Sequence, residues 1–335
     1  MRELAGKLLR LDRRAIFVLI ALATLIPLLY PIGLPIRVSP EVKRVFDHIE
    51  SLPAGSVFLL SLDFDPASKP ELYPMAVALL NHAFRRDLKV VTMTLWVTGT
   101  GMAEGVVSGV ASEYGKRRGL DYAFLGYSPG GANVIINMGQ DLNAAFPADH
   151  YGERTADLPV LRGVRSLRQV NYVVSLAAGT PGVESWYVYG KEKYGFELGG
   201  GVTAVIAPGL YPFLDTGQIN GLIGGLRGAA EYEILIGMKG KGMAGMDAQS
   251  ATHFIIIGLI LLCNLFYVLA PGTVVRSFDP SARLRTGSAQ DRSTRHPGFP
   301  PTNPARASTS TATSIESLAR RSRSRRSWAH GYTRR

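Results

Sequence analysis

The stretch Asp121–Ile136, DYAFLGYSPGGANVII, decides how the chain reads. An apolar run, Tyr122 to Leu125, stops at Gly126, and Pro129-Gly130-Gly131 forces a sharp turn. Apolar residues at helical spacing then resume. Strand, glycine turn and helix start, in that order, form the unit of an α/β sheet that keeps its binding groups beyond the strand ends.

The same unit recurs on both sides. Ser56–Leu62 (SVFLLSL) and Leu88–Trp96 (LKVVTMTLW) are mostly apolar runs, as expected of strands buried on both faces. After the first, Leu72, Met75, Ala76, Leu79, Leu80, Ala83 and Phe84 repeat at helical spacing; after the second, Met102, Val106, Val107, Val110 and Ala111 do the same. Downstream, Val170–Leu176 (VNYVVSL) predicts a fourth strand, Val183–Tyr194 a helix, Val202–Ala207 a fifth strand, and Thr216–Ile236 a last helix. Pro40–Ser51, with Val42, Val45, Phe46 and Ile49 on one face, predicts a short amphipathic helix before the first strand. Pro147–Arg168 reads as a long polar connection of the kind that forms a lid or binding loop. Five successive strand–helix units predict an α/β fold: a Rossmann-like, doubly wound, mostly parallel sheet.

This domain lies between two uncharged apolar segments, Ala15–Pro35 and His253–Val275, each long enough for a transmembrane helix of about 20 residues. The first is too long for a signal-peptide core and lacks a small-x-small cleavage site, so it reads as an uncleaved signal anchor. The expected organisation is a basic cytoplasmic N-terminus at 1–14, transmembrane helices at 15–35 and 253–275, an extracytoplasmic α/β domain at 36–252, and a disordered basic cytoplasmic tail at 276–335. Lysines and arginines favour cytoplasmic ends at both spans: Arg2, Lys7, Arg10, Arg13 and Arg14 outweigh Arg37, Lys43 and Arg44, and Arg276, Arg283, Arg285 and Arg292 outweigh Lys239 and Lys241. A two-pass protein of the cell membrane is the resulting expectation.

The net charge of +11 belongs to the two ends. Residues 1–14 carry +3 and residues 272–335 carry +10, leaving the middle at −2, so a nucleic-acid groove on the folded domain is not expected. The expected partners are the lipid bilayer and a second membrane protein or another copy of the chain. Cys263 is the single cysteine, which excludes an intrachain disulfide and a thiolate metal cluster.

The predicted ligand-binding residues sit at the strand ends: Asp63 and Asp65, Thr98 and Thr100, Ser128, Gly130 and Gly131, and Thr180. Asp63 and Asp65, two apart on an extended chain, could share a cation, a hydroxyl or an amine; the plainer alternative makes them a cap and a turn. Thr98-Gly99-Thr100-Gly101 offers backbone N–H groups at a helix start, although Glu104 stands where a dinucleotide fingerprint has its third glycine. Gly126-Tyr127-Ser128-Pro129-Gly130 matches the G-x-S-x-G nucleophile elbow, but Pro129 has no N–H to give an oxyanion. His48, His82 and His150 show no metal spacing, and no motif names a cofactor or a catalytic set.

Ser128-Pro129-Gly130-Gly131 also resembles the SPGG turn of the Clp and signal-peptide-peptidase serine proteases, which have a crotonase-like fold. That resemblance implies Gly130 as an oxyanion donor and Ser175 as a nucleophile. Residues 15–275 as a whole resemble uncharacterised prokaryotic two-span membrane proteins with one external α/β domain, and this implies no activity. The expected function is therefore a membrane-anchored domain binding a small ligand or partner protein at its sheet rim, with a membrane-anchored serine hydrolase and a structural subunit of a membrane complex as alternatives.

Overall fold

A computed structural model describes residues 13–269. The expectations for most of the N-terminus and for the basic tail at 276–335 lie outside these residues. Six strands form one sheet: β1 (Val57–Asp63), β2 (Lys89–Thr94), β3 (Tyr122–Tyr127), β4 (Tyr172–Ala177), β5 (Glu197–Val202) and β6 (Gly221–Gly224). Their order is β3-β2-β1-β4-β5-β6, and every neighbouring pair is parallel. This is the doubly wound Rossmann order, with its reversal between β1 and β4.

The helices are α1 (Arg13–Leu29), α2 (Pro40–Ser51), α3 (Lys69–Arg85), α4 (Thr100–Glu113), α5 (Ala132–Gln140), α6 (Leu142–Ala145), α7 (Val183–Trp186), α8 (Ala207–Asp215), α9 (Gly225–Leu235) and α10 (Lys241–Leu269). α7 continues through a π-helical segment, Tyr187–Lys191, to a last turn at Glu192–Tyr194. One apolar core packs α2, α3, α4 and α9 on Phe58, Leu60 and Leu62 of β1; the other packs α5, α7 and α8 on Val57 and Leu59. The alternation along β1 shows why the run is apolar throughout: both of its faces are covered.

The fifth strand differs from expectation. It is Glu197–Val202, ELGGGV, rather than Val202–Ala207, most of which leads into α8. A Cβ at Gly199 would run into the Tyr172 hydroxyl, and one at Gly201 into Leu176, so side chains of β4 occupy the space that β5 leaves. A sixth strand, Gly221–Gly224, stands inside the segment expected to be helical. A Cβ on Gly221 would meet the backbone of α2 at Glu41 and Val45, so the glycine lets α2 lie directly against the strand.

The long connection 147–168 is no open lid. His150 N donates to Phe124 O (3.0 Å) at the outer edge of β3, and Arg118 pairs with the buried Asp149 at 2.6 Å. Glu104 accepts the Tyr151 hydroxyl proton (2.7 Å), and Leu158, Val160, Leu161 and Leu167 join the core. The segment covers a sheet edge that would otherwise present unpaired backbone groups.

α1 and α10 form a hairpin, with the Thr24 and Thr252 hydroxyls hydrogen bonded at 2.8 Å. Both helices differ in extent from the predicted spans: α1 ends at Leu29, and α10 begins at Lys241, well before His253. Lys241–Leu265 is long and apolar enough to cross a membrane; Arg14–Leu29 is a shorter apolar helix. Three buried carboxylates tie the hairpin and its linker, residues 30–39, to the domain. Asp247 accepts Gly33 N (2.8 Å) and Leu34 N (3.0 Å), Glu231 accepts the N–H and hydroxyl of Ser39, and Glu233 accepts Gly242 N and Met243 N.

The contacts also fix the direction of the hairpin. α9 starts at the carboxyl end of β6, and α10 runs back along it, with Gly242 against Ala230 and Gly245 against Leu226. α10 therefore passes the carboxyl-end rim of the sheet and continues beyond it. The 22 residues after Asp247 extend about 33 Å as a helix.

Candidate functional site

The parallel sheet brings all eight predicted site residues to one rim, but in different surroundings. Asp63 ends the central strand and is fully buried. Its Oδ2 accepts the Ser61 hydroxyl proton at 2.6 Å and its Oδ1 accepts Leu95 N–H at 2.6 Å, tying the ends of β1 and β2 together. Burial pushes this carboxyl up to about 7, against the smaller opposing pull of the Ser61 and Leu95 hydrogen bonds. Trp186 in α7 lies near enough to favour the charged form slightly, yet its Nε1–H closes no well-formed hydrogen bond. Ser175 Oγ, opposite Ser61 in the β1–β4 register, is also buried without a partner. A carboxyl, two serines and an indole thus form a polar nest under α7.

Ser61 and Trp186 were not anticipated. The signal was nonetheless in the sequence: Leu60-Ser61-Leu62 and Val174-Ser175-Leu176 each place one serine near the end of an otherwise apolar strand.

Asp65 does not join Asp63. Its Oδ1 accepts Ala67 N, Ser68 N and Ser68 Oγ within its own turn, and the Ser68 hydroxyl leads the contacts that hold this carboxyl below the usual range. The plainer turn role therefore holds for Asp65. Among the described residues, no group of three or more His, Cys, Asp and Glu side chains could hold a metal ion.

Thr98 is exposed in a 3₁₀ turn, Val97–Gly99, and Thr100 Oγ1 donates to Val97 O at 2.9 Å. Gly99 serves packing: a Cβ there would run into the Phe64 carbonyl oxygen. Beside it, Trp96 bridges the point where strand order reverses. Its Nε1–H donates to Pro181 O at 3.0 Å, and its ring lies against Gly179. Open sheets of this order offer a crevice there; here an indole crosses it.

Ser128–Gly131 follows the edge strand β3, with Gly130 at φ 127° and Gly131 at φ 56°, backbone conformations that favour glycine. Three strand spacings separate β3 from β4, about 14 Å, and Ser175 is buried within β4. No hydrogen bond joins Ser128 or Ser175 to a histidine among the described residues.

Thr180 lines an open cleft of about 180 Å³ between the ends of β4 and β5. Ala177 and Val202 form its floor, and Gly179, Gly182, Ile206 and Leu210 stand around it. A Cβ on Gly182 would run into Gly179 O and Ala177, so only glycine closes this turn and keeps the space open. Of the eight predicted residues, Thr180 alone borders the cleft; Asp63 lies next to its floor, paired in register with Ala177.

No protein-family model and no curated protein matches the sequence. Among solved structures, an α,α-trehalose-phosphate synthase (UDP-forming) from Burkholderia vietnamiensis is similar over 77% of this chain and 49% of its own, at 11% identity and TM-score 0.26. The trehalose-6-phosphate synthase OtsA is similar over 71% and 46%, at 7% identity and TM-score 0.26. The chain spans about half the length of each enzyme, and likeness at this level carries no argument about activity.

Proposed function

We propose that the chain is a two-span membrane protein whose α/β domain faces away from the cytoplasm and binds a small ligand, or one side chain of a partner protein, at the β4–β5 end of its rim. The observation that carries the membrane half is the hairpin surface. Phe17 is 68% exposed, Phe254 71% and Val268 72%, with Leu22, Leu25, Ile26, Ile260 and Leu261 also exposed between them. Apolar surface this extensive needs a cover, and lipid supplies one along the whole hairpin. The 33 Å reach of α10 beyond Asp247 suits a hydrocarbon core of about 30 Å. The lysine and arginine asymmetry supports a cytoplasmic side for the outer flanks of both spans.

The cleft supports the binding half. At about 180 Å³ it is smaller than the roughly 300–1,000 Å³ of pockets for drug-sized molecules. It suits a compact molecule or a single inserted side chain. Floor and walls are mostly apolar, and the exposed Thr180 and the Glu184 of α7 supply polar contacts at its border.

Vesicle flotation of the full chain tests the anchor: release by alkaline carbonate would reject it. For the cleft, a library of small organic acids, amines and sugars is read by thermal shift on wild type, Ile206→Trp and Thr100→Ala. Shifts lost in Ile206→Trp and kept in Thr100→Ala are expected; a ligand that shifts all three equally does not use this cleft.

A further inference from the structure

A larger groove lies at the root of the hairpin, outside the cleft. It has a volume of about 540 Å³ and is bounded by Leu28 of α1, Pro70 and Tyr73 of α3, Leu226 of α9, and Ala244 of α10. This volume falls within the range of ligand-sized pockets. The lining is largely apolar and continuous, through Leu28, with the exposed apolar face of the hairpin.

Two cations stand at the same groove. Lys69 Nζ lies 5.2 Å from the centre of the Tyr73 ring and Lys241 Nζ lies 5.7 Å from it. Both lysines line the groove, both are exposed, and neither has a carboxylate partner among the described residues. Both ammonium groups lie near the same ring, so an anion seated beside it would be attracted by both charges. Carboxylates close to them along the chain are already committed: Asp65 accepts from Ala67 and Ser68, Glu71 accepts Ala204 N, and Glu233 accepts two backbone N–H groups of α10. An apolar trough with a cationic mouth, set where the hairpin meets the domain, matches an anionic amphiphile lying with its chain along the helices and its head against the domain.

We propose that this groove binds one anionic phospholipid, with an acyl chain along Leu28, Pro70 and Ala244 and the phosphate between Lys69 and Lys241. The proposal rests on the membrane placement above and adds a lipid class to it. It would make the lipid a wedge between the α1 end, the α3 start and α10, three elements that meet at the carboxyl-end side of the sheet.

The test uses the full chain in nanodiscs and two lipids, dioleoylphosphatidylglycerol and dioleoylphosphatidylcholine. Native mass spectrometry after gentle release reads the retained lipid for wild type, Lys69→Gln/Lys241→Gln and Lys69→Arg/Lys241→Arg. A basic side chain near an anionic lipid surface contributes about a fivefold effect, so the glutamine pair should lose roughly 25-fold in phosphatidylglycerol retention. The arginine pair should restore it, and phosphatidylcholine retention should be weak throughout. Equal phosphatidylglycerol retention by wild type and the glutamine pair overturns the proposal, as does equal retention of both lipids by wild type. Binding of the chain-free headgroup, glycerophosphoglycerol, as tightly as the intact lipid would also overturn it. Failure of the chain to insert into phosphatidylcholine nanodiscs would instead reject the membrane placement. The lysines are exposed, and matching circular dichroism melts will confirm that the variants fold.

Discussion

Asp63 makes the stability of this domain depend on pH in an unusual direction. In the unfolded chain its carboxyl has the ordinary value of 3.8, and in the folded domain burial holds it at about 7. Between these values the folded state carries a proton that the unfolded state has lost. Stability therefore falls as pH rises through this window, is unaffected by Asp63 below about 4, and carries the full penalty above about 7. At about 1.36 kcal/mol per pH unit the penalty reaches about 4 kcal/mol. Asp63→Asn removes the titration and keeps the contacts: the amide oxygen accepts Leu95 N–H, and the amide nitrogen can donate to Ser61 Oγ. The variant should match wild type near pH 4 and exceed it near pH 8 by up to about 4 kcal/mol. For a domain of this size that is roughly 8–16 °C in melting temperature. Far-ultraviolet circular dichroism melts of the full chain in detergent, at about pH 4, 6 and 8, read the difference. A gap between the two proteins that is constant with pH, or widest at low pH, refutes the reasoning.

Three further outcomes follow from the geometry. Gly99→Ala should destabilise the domain by about 1–3 kcal/mol, because its Cβ meets the fixed Phe64 carbonyl; a denaturation midpoint equal to wild type would contradict this. Asp247→Ala should leave two backbone N–H groups without their partner, cost about 1–3 kcal/mol each, and open residues 30–39 to protease, with Asp247→Asn intermediate; unchanged cleavage would show that Asp247 does not hold the segment. Cys263 is exposed on α10, so in intact membranes it should resist a water-soluble maleimide and react after detergent is added; full labelling before detergent would place it outside the bilayer.

The legible parts of this fold were those whose pattern is local. β1, β2, β3 and β4 are apolar runs because both faces are covered, and α3 and α4 repeat at 3.6 residues because one face is. β5 and β6 escaped because their glycines carry no strand signal. Their shape is decided by Tyr172, Leu176 and Val45, residues far away in sequence that fill the vacant space. The site divides the same way. Asp63 could be placed at a strand end from its neighbours alone, and Asp65 at a turn from the proline beside it. The burial of Asp63, and the nest with Ser175 and Trp186, depend on α7 folding over β1 and β4 across more than a hundred residues. Gly99 sits in a loop whose sequence suggests backbone N–H groups for an anion, and its demand is set by the backbone of another loop, at the Phe64 carbonyl.

The hairpin passes the carboxyl-end rim on its way out of the domain, and this has a kinetic consequence. With α1 and α10 in a bilayer, the rim loops lie on the membrane side of the sheet. A partner that is itself embedded would meet them by lateral diffusion in the plane of the bilayer. A dissolved ligand would have to enter sideways, through the gap between the domain and the lipid surface. On that placement, Glu231, Glu233 and Asp247, which tie the hairpin and its linker to the domain, would limit how far that gap can open.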